Sequence, residues 1–347
     1  MQDFERNFLQ RALERARSAR RAPARLGLPL EPTWAAVLAT PDRELCAEAF
    51  VPGDIQDAVR ALTKKIEPLS HSQDDITLYL TIEPFSTYER LPPVTESIRA
   101  LGVKKVFVGA ENPSNRARGQ GIASLEKQGV SVTLADGEIA RQCQLLYEDY
   151  SKALSRSLPV LRLFWDLRDN GSDQLEFVAP QVRAMSFQHD AILWSDLDIA
   201  RKENHDAWVI ALDPYGQVKN KKEFASDRVL VFQSATNKSM EDSFTVTERD
   251  GSLDLASILR KLKDLGILSV LCGGNAELFQ RALEAGLVDS VLSSVKRDGR
   301  SVASVLSHLY RSPVHGQGWD RSVKLLSPRV LEEQDDSLLV EAGVKIQ

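Results

Sequence analysis

The sequence predicts an α/β protein with mostly parallel sheet, and three observations carry that prediction. Between Asp75 and Gly109 a strand pattern (Ile76 to Ile82), a Pro-rich loop, a short helix (Thr95 to Leu101) and a second strand (Lys105 to Gly109) follow at the spacing of a right-handed crossover. Around that unit, strand patterns at Trp34 to Ala39, Glu44 to Phe50 and Val130 to Leu134 alternate with helical ones. The chain has 347 residues, 43% of them hydrophobic, enough for two globular domains with cores of their own.

Taken in order, Asp3 to Ala22 reads as a helix, with Phe4, Phe8, Leu9 and Leu13 on one side. Seven Arg within the first 25 residues fit a transit peptide, but Asp3, Glu5 and Glu14 argue against one. Pro23 to Pro32 breaks regular structure before the first strand. Gly53 to Lys65 is a helix whose apolar positions Ile55, Val59 and Leu62 recur at helical spacing. His71, Asp74 and Asp75 precede the central strand, and a solvated loop is the expectation for them. Asp136 to Ser155 is a helix carrying Leu145, Leu146 and Tyr150, and the SRSLPV turn closes the first domain. The domains are expected at 1–155 and 156–347.

Composition excludes several classes. A net charge of −5 and the absence of a long basic tract give no support for a nucleic-acid backbone binder. No apolar run reaches membrane-spanning length and no signal-peptide core is found. Cys46, Cys143 and Cys272 lie far apart, with no CxxC pair, and are expected to be reduced thiols in a cytoplasmic protein. The five His residues (His71, His189, His205, His308, His315) fall in no recognised catalytic motif, and there is no GxSxG, HExxH or P-loop pattern.

In an open parallel sheet the site lies at the carboxyl ends of the strands, which here places it on Glu83 to Val94 and Ala110 to Gln120. Those loops read TIEPFSTYERLPPVT and ENPSNRARGQGI. They resemble the deaminase half of the bifunctional riboflavin-biosynthesis deaminase/reductase family, with its loops TLEPCSHYGRTPPCT and EDPNPxVAGxGI. The resemblance implies a cytidine-deaminase-like domain followed by a dihydrofolate-reductase-like domain. It also implies a zinc ion held by two Cys and one His, with a Glu to move protons. Phe85 and Val94 stand at the two Cys positions. The family's GxxHAEVxAL reads GDIQDAVRAL here, from Gly53 to Leu62, which puts Ile55 at the His and Asp57 at the Glu. Ile, Phe and Val have no lone pair for zinc, so no zinc is expected. The loop residues Ser86, Tyr88, Arg90, Glu111, Asn112, Asn115, Arg116 and Arg118 are the candidate ligand-binding set, with the three Arg suited to a phosphate and Asn112 standing where the family has an Asp. A solvated basic edge stands as the alternative for them.

The second half resembles the family's reductase more weakly. HDAILW (His189 to Trp194), WVIALDPYGQV (Trp208 to Val218) and the stretch from Asp250 to Val295 follow the family's order of strands, helices, GIxSVLVEGGA and GLVDE. Leu325 to Ile346 reads as a closing pair of strands. The family's KxAxSLDG and GxxTVxxDDPxLTxR elements, which the resemblance associates with NADPH and the ribosyl phosphate, are VLRLFWDLRDNG and SDLDIARKENHD here. Gly273 and Gly274 remain as cofactor-binding candidates: two Gly after a strand let a pyrophosphate approach a helix start, and a tight turn explains them equally. Cys272 is expected to be a buried thiol. Tight NADPH binding is not expected.

Three functions follow. The first is a non-catalytic scaffold or partner in a riboflavin-like (flavin or azapteridine) pathway, working as a homodimer or with a partner enzyme. The second is a metal-free enzyme acting on a pyrimidine ribosyl phosphate or flavin-like intermediate. The third is a surviving NADPH-dependent reductase. The first is the leading expectation.

Overall fold

The computed structural model describes residues 2–18, 26, 34–40, 45–51, 76–86, 93–166, 189–204, 207–249, 251–273, 275–311, 314–315, 322–334 and 337–346. The chain forms two compact units, Met1–Arg21 with Pro29–Arg156, and Ala22–Leu28 with Ser157–Gln347. The expected helix over Gly53 to Lys65 and the cluster His71, Asp74, Asp75 lie outside the described residues.

The first unit has a five-stranded sheet of β1 (Trp34–Ala39), β2 (Leu45–Val51), β3 (Thr77–Leu80), β4 (Lys105–Val108) and β5 (Ser131–Leu134), in the order β2-β1-β3-β4-β5. The crossover read from the sequence is present: β3 and β4 pair in parallel, Thr77 opposite Lys105 and Leu80 opposite Val108, joined through α2 (Val94–Ala100). β4 and β5 are parallel as well, but β1 pairs antiparallel with both β2 and β3. The sheet is therefore mixed rather than mostly parallel, because local patterns fix each strand and not the direction in which it docks.

Alternation along the strands sends side chains to two apolar faces. Trp34, Ala36, Leu38, Leu78, Leu80, Val106 and Val108 face Ile98 of α2 and Leu125 of α3 (Gln120–Lys127). Ala35, Val37, Tyr79 and Phe107 face Leu9, Leu13 and Ala16 of α1 (Asp3–Ser18) and Ile139 and Cys143 of α4 (Gly137–Leu146). The single helix expected over Asp136 to Ser155 is two, α4 and α5 (Glu148–Arg156), with Tyr147 between them at φ −105°, ψ 13°. Tyr147 leaves the helical path with its ring buried and its hydroxyl bonded to Thr81.

The second unit holds β6 (Val160–Asp166), β7 (Ala191–Trp194), β8 (Trp208–Asp213), β9 (Val229–Ser234), β10 (Phe244–Val246), a short ladder of β11 (Glu248–Arg249) and β12 (Ser252–Leu253), β13 (Ser269–Cys272), β14 (Ser290–Lys296), β15 (Val314–His315), β16 (Ser322–Gln334) and β17 (Ser337–Ile346). Ten of these strands form one sheet in the order β10-β9-β8-β7-β13-β6-β14-β17-β16-β15. It is parallel from β10 to β14 and antiparallel from β14 to β15. The parallel strands are buried on both faces, which is why AILW and VLVFQS read as near-continuous apolar runs. α7 (Leu255–Asp264) and α8 (Ala276–Glu284) cover one face through Ile258, Leu259, Leu262, Leu278 and Phe279. α6 (Leu197–Lys202) covers the other, with Ala200 against Ile192, Trp194 and Val209. Val305 and Leu309 of α9 (Val302–Arg311) pack on Leu325, Leu338 and Val340 of the closing strands. Among the described residues no helix is long and apolar enough to cross a membrane.

Candidate functional site

At the carboxyl ends of β3 and β4 the chain makes one tightly organised feature, and it is built on Glu83. Its side chain is fully buried and accepts four backbone N–H bonds: Asn112 (3.0 Å) and Gly119 (2.9 Å) on Oε2, Gly121 (2.9 Å) and Ile122 (3.2 Å) on Oε1. Its own N–H donates to the Ala110 carbonyl at 2.8 Å. Three of the four donors lie in the GQGI stretch that opens α3, where unpaired N–H groups and the helix dipole favour a carboxylate. Glycine is required twice in that stretch. Gly119 caps the helix at φ +73°, and a Cβ on Gly121 would lie 1.9 Å from the Pro84 carbonyl oxygen. Glu83 thus fixes the loop from Ala110 to Gly119 onto the strand before it. The sequence signal is an acidic residue at a strand end paired with a Gly-x-Gly helix start; that signal marks Glu83 as part of a motif and does not show it as this anchor.

The two residues at the positions of the resembling family's zinc cysteines are packed apolar side chains. Val94 is 2% exposed at the start of α2 and belongs to the core with Ile98, Leu78 and Leu80. Phe85 packs against the same core, its ring 5.8 Å from that of Trp34 at a tilt of 59°. The Phe85 carbonyl accepts from Thr95 N–H at 3.3 Å, which joins Phe85 to the first turn of α2. Ile55 and Asp57 lie outside the described residues. Among the described residues no three His, Cys, Asp or Glu side chains gather in a metal-holding group.

The candidate ligand-binding residues are divided by the structure. Ser86 is half-buried after β3, while Tyr88 and Arg90 lie outside the described residues. Glu111, Asn115, Arg116 and Arg118 are exposed on the loop after β4. Arg118 Nε stands 3.9 Å from a Glu111 carboxylate oxygen, both about half exposed, a pair that contributes little. Asn112 differs from the rest. It is fully buried, its Oδ1 accepts from Ser114 N–H at 2.9 Å, and its Nδ2 has no hydrogen-bond partner among the described residues.

In the second unit the retained motif residues are chiefly backbone clamps. Asp190 Oδ2 accepts from the N–H of Leu268 (2.9 Å) and Ser269 (3.0 Å), tying β7 to β13 at their amino ends. Asp289 Oδ2 accepts from Leu161 N–H at 3.0 Å, tying the start of β14 to β6. Asp213 accepts from Gln217 and Val218 N–H (2.9 and 2.8 Å) and from Gln233 Nε2 (2.7 Å), closing the turn after β8. At the carboxyl ends of β7 and β13, Gly273 faces a side chain: a Cβ there would lie 2.5 Å from Cζ3 of Trp194. Trp194 is fully buried in the core with Ile192, Leu271 and Phe164. Gly274 lies outside the described residues. The sequence signal for Trp194 is a bulky aromatic ending a strand, with Gly273 directly after another; the contact itself depends on strand order.

Residues 183–295 match the family model described as the RibD C-terminal domain. The chain is 24% identical over 250 residues to riboflavin biosynthesis protein RibD of Aquifex aeolicus, covering 62% of this chain and 67% of the relative. It is 35% identical over 86 residues to RibD of Bacillus amyloliquefaciens, covering 25% of this chain and 23% of that relative. Two solved structures superpose over nearly the whole length: RibD of Acinetobacter baumannii (TM-score 0.70, 20% identity, 99% of each chain) and the Thermotoga maritima diaminohydroxyphosphoribosylaminopyrimidine deaminase/5-amino-6-(5-phosphoribosylamino)uracil reductase (TM-score 0.68, 21% identity, 98% of each). The chain is a divergent homologue of the RibD family. Its fold is that family's, a cytidine-deaminase-like domain followed by a dihydrofolate-reductase-like one.

Proposed function

We propose that this RibD homologue has no zinc deaminase chemistry and acts as a non-catalytic scaffold or partner in a riboflavin-like, flavin or azapteridine pathway. One observation carries the reading: of the residues at the positions of the resembling family's two cysteine ligands, Val94 is buried in the core of the first unit and Phe85 packs, half-buried, against it. A zinc deaminase activates water on a metal held by Cys and His. Hydrocarbon side chains at two of those positions offer the metal no electron pair and fill the volume it would need. Meanwhile Glu83, Gly119 and Gly121 keep the loop in place. That combination preserves a shaped surface without the chemistry, which suits a protein that binds a ligand or a partner enzyme. Elemental analysis after dialysis against a chelator tests it: the reading predicts no bound zinc, and one zinc per chain overturns it.

A second reading is favoured by Asn112. An amide donor with no partner among the described residues, fully buried beside the loop after β4, suits an acceptor atom of a pyrimidine ribosyl phosphate or flavin-like ligand. On that reading the loops still recognise an anionic heterocycle and support metal-free chemistry on it. Arg90→Glu is the discriminating variant. If the wild type binds a pyrimidine ribosyl phosphate in a calorimetric titration, the variant should bind at least about 1 kcal/mol more weakly, the loss of a charged hydrogen bond. No binding by the wild type leaves the scaffold reading standing alone.

A further inference from the structure

The geometry points to Trp194 as an internal plug of the second unit's nucleotide crevice, closing it to NADPH. In a parallel sheet a dinucleotide lies across the carboxyl ends of adjacent strands, with its pyrophosphate over a Gly-rich turn and a helix start. In this unit that place is the junction of β7, β13 and α8. A Cβ on Gly273 would stand 2.5 and 2.6 Å from Cζ3 and Cη2 of the Trp194 ring, so the indole fills the side of the turn toward α6 and leaves the strand ends no open face there. The glycine is accounted for by the indole against it.

Hydrogen bonding at the same junction agrees independently. An anion at a helix start is held by backbone N–H groups that have no other acceptor. Here the Gly273 N–H donates to the Leu193 carbonyl at 3.1 Å. The Asn275 N–H donates to Ser195 Oγ at 3.3 Å, and the Leu278 N–H to Asn275 Oδ1 at 3.0 Å. The Gly273 and Asn275 N–H groups are thus engaged by the chain itself, and the Leu278 N–H by the helix N-cap. The Trp194 Nε1–H, by contrast, is buried with no partner among the described residues, so the ring is held by its volume and not by a polar contact. The crevice does not fit NADPH. This inference concerns the second unit alone and stands or falls separately from the zinc content of the first.

The test combines a titration with a double-mutant cycle on the full chain. The wild type titrated calorimetrically with NADPH should show no saturation up to about 1 mM. Gly273→Ala should lower the melting temperature by about 3–10 °C, the effect of forcing a methyl into a filled space. In a Trp194→Val background, where the ring is gone, the same change should lower it by less than half as much. Saturation of the wild type at micromolar NADPH overturns the inference. So does a Gly273→Ala shift equally large in both backgrounds, because the glycine would then serve something other than the indole.

Discussion

Glu341 lies on β17 with its side chain only 10% exposed, within reach of two guanidinium groups. Arg162 Nε donates to it at 3.0 Å, Ser290 Oγ at 2.8 Å and Arg329 Nε at 3.1 Å. Burial pushes its carboxyl pKa up, but the charge of Arg162 and the hydrogen bonds from Arg329 and Ser290 outweigh that and hold it at about 2. A depressed pKa in the folded state means the stabilisation is complete above the unfolded carboxyl value of about 4.3 and is lost as pH falls through the folded one. The effect is on the order of 3 kcal/mol. Urea unfolding between about pH 6 and about pH 2 should therefore cost the wild type about 2–3 kcal/mol more than Glu341→Gln. Acid-stability curves that run parallel for the two proteins contradict this. Glu83 shows the other use of a buried carboxylate, with backbone N–H groups in place of arginines as its partners. From sequence alone Glu341 reads as an ordinary charge and Glu83 as a motif residue without a role, because the partners of Glu341 come from three other strands and those of Glu83 from residues 29 to 39 positions away.

At the scale of elements, the start of α3 is the most demanding junction in the first unit. Gly121 donates to Glu83 and passes so close to Pro84 that no side chain fits. Gly121→Ala must move the helix off the carboxylate, and we predict a loss of about 3 kcal/mol or more in urea unfolding. Gly129 supplies the control. It has φ +80°, but a methyl placed there would meet nothing within 4 Å, so Gly129→Ala should cost only about 1 kcal/mol. Equal costs would mean the close approach to Pro84 is not what the glycine serves. The sequence predicts the elements here well: β4 runs Lys105–Val108 and α2 Val94–Ala100, within a residue or two of the pattern. It predicts one helix where Tyr147 divides two, since that break rests on a hydroxyl meeting Thr81 across 66 residues. The antiparallel docking of β1 on β3 is likewise invisible in the sequence, because a strand's pattern is the same in either direction.

At the scale of the whole molecule, what the chain shares with RibD and what it lacks separate by physical role. The shared residues Glu83, Gly121, Asp190, Asp213 and Asp289 hold backbone to backbone. The residues that the resemblance sets at the family's cysteine positions, Phe85 and Val94, are hydrocarbon packed on the core of the first unit, and in the second the Trp194 ring lies against Gly273. The first pair is legible from the resemblance of the loop TIEPFSTYERLPPVT to the family's own. The Trp194 contact is not, since β7 and β13 are distant in sequence and become neighbours only in the folded sheet, where Ala191 and Val270 face each other in register. The most direct measurement is turnover of a diaminohydroxy-pyrimidine ribosyl phosphate by the purified full chain supplied with both zinc and NADPH, with ammonia release and NADPH oxidation followed together. The account predicts neither above the protein-free background; ammonia release that depends on added zinc, or NADPH oxidation that depends on the pyrimidine, would contradict it.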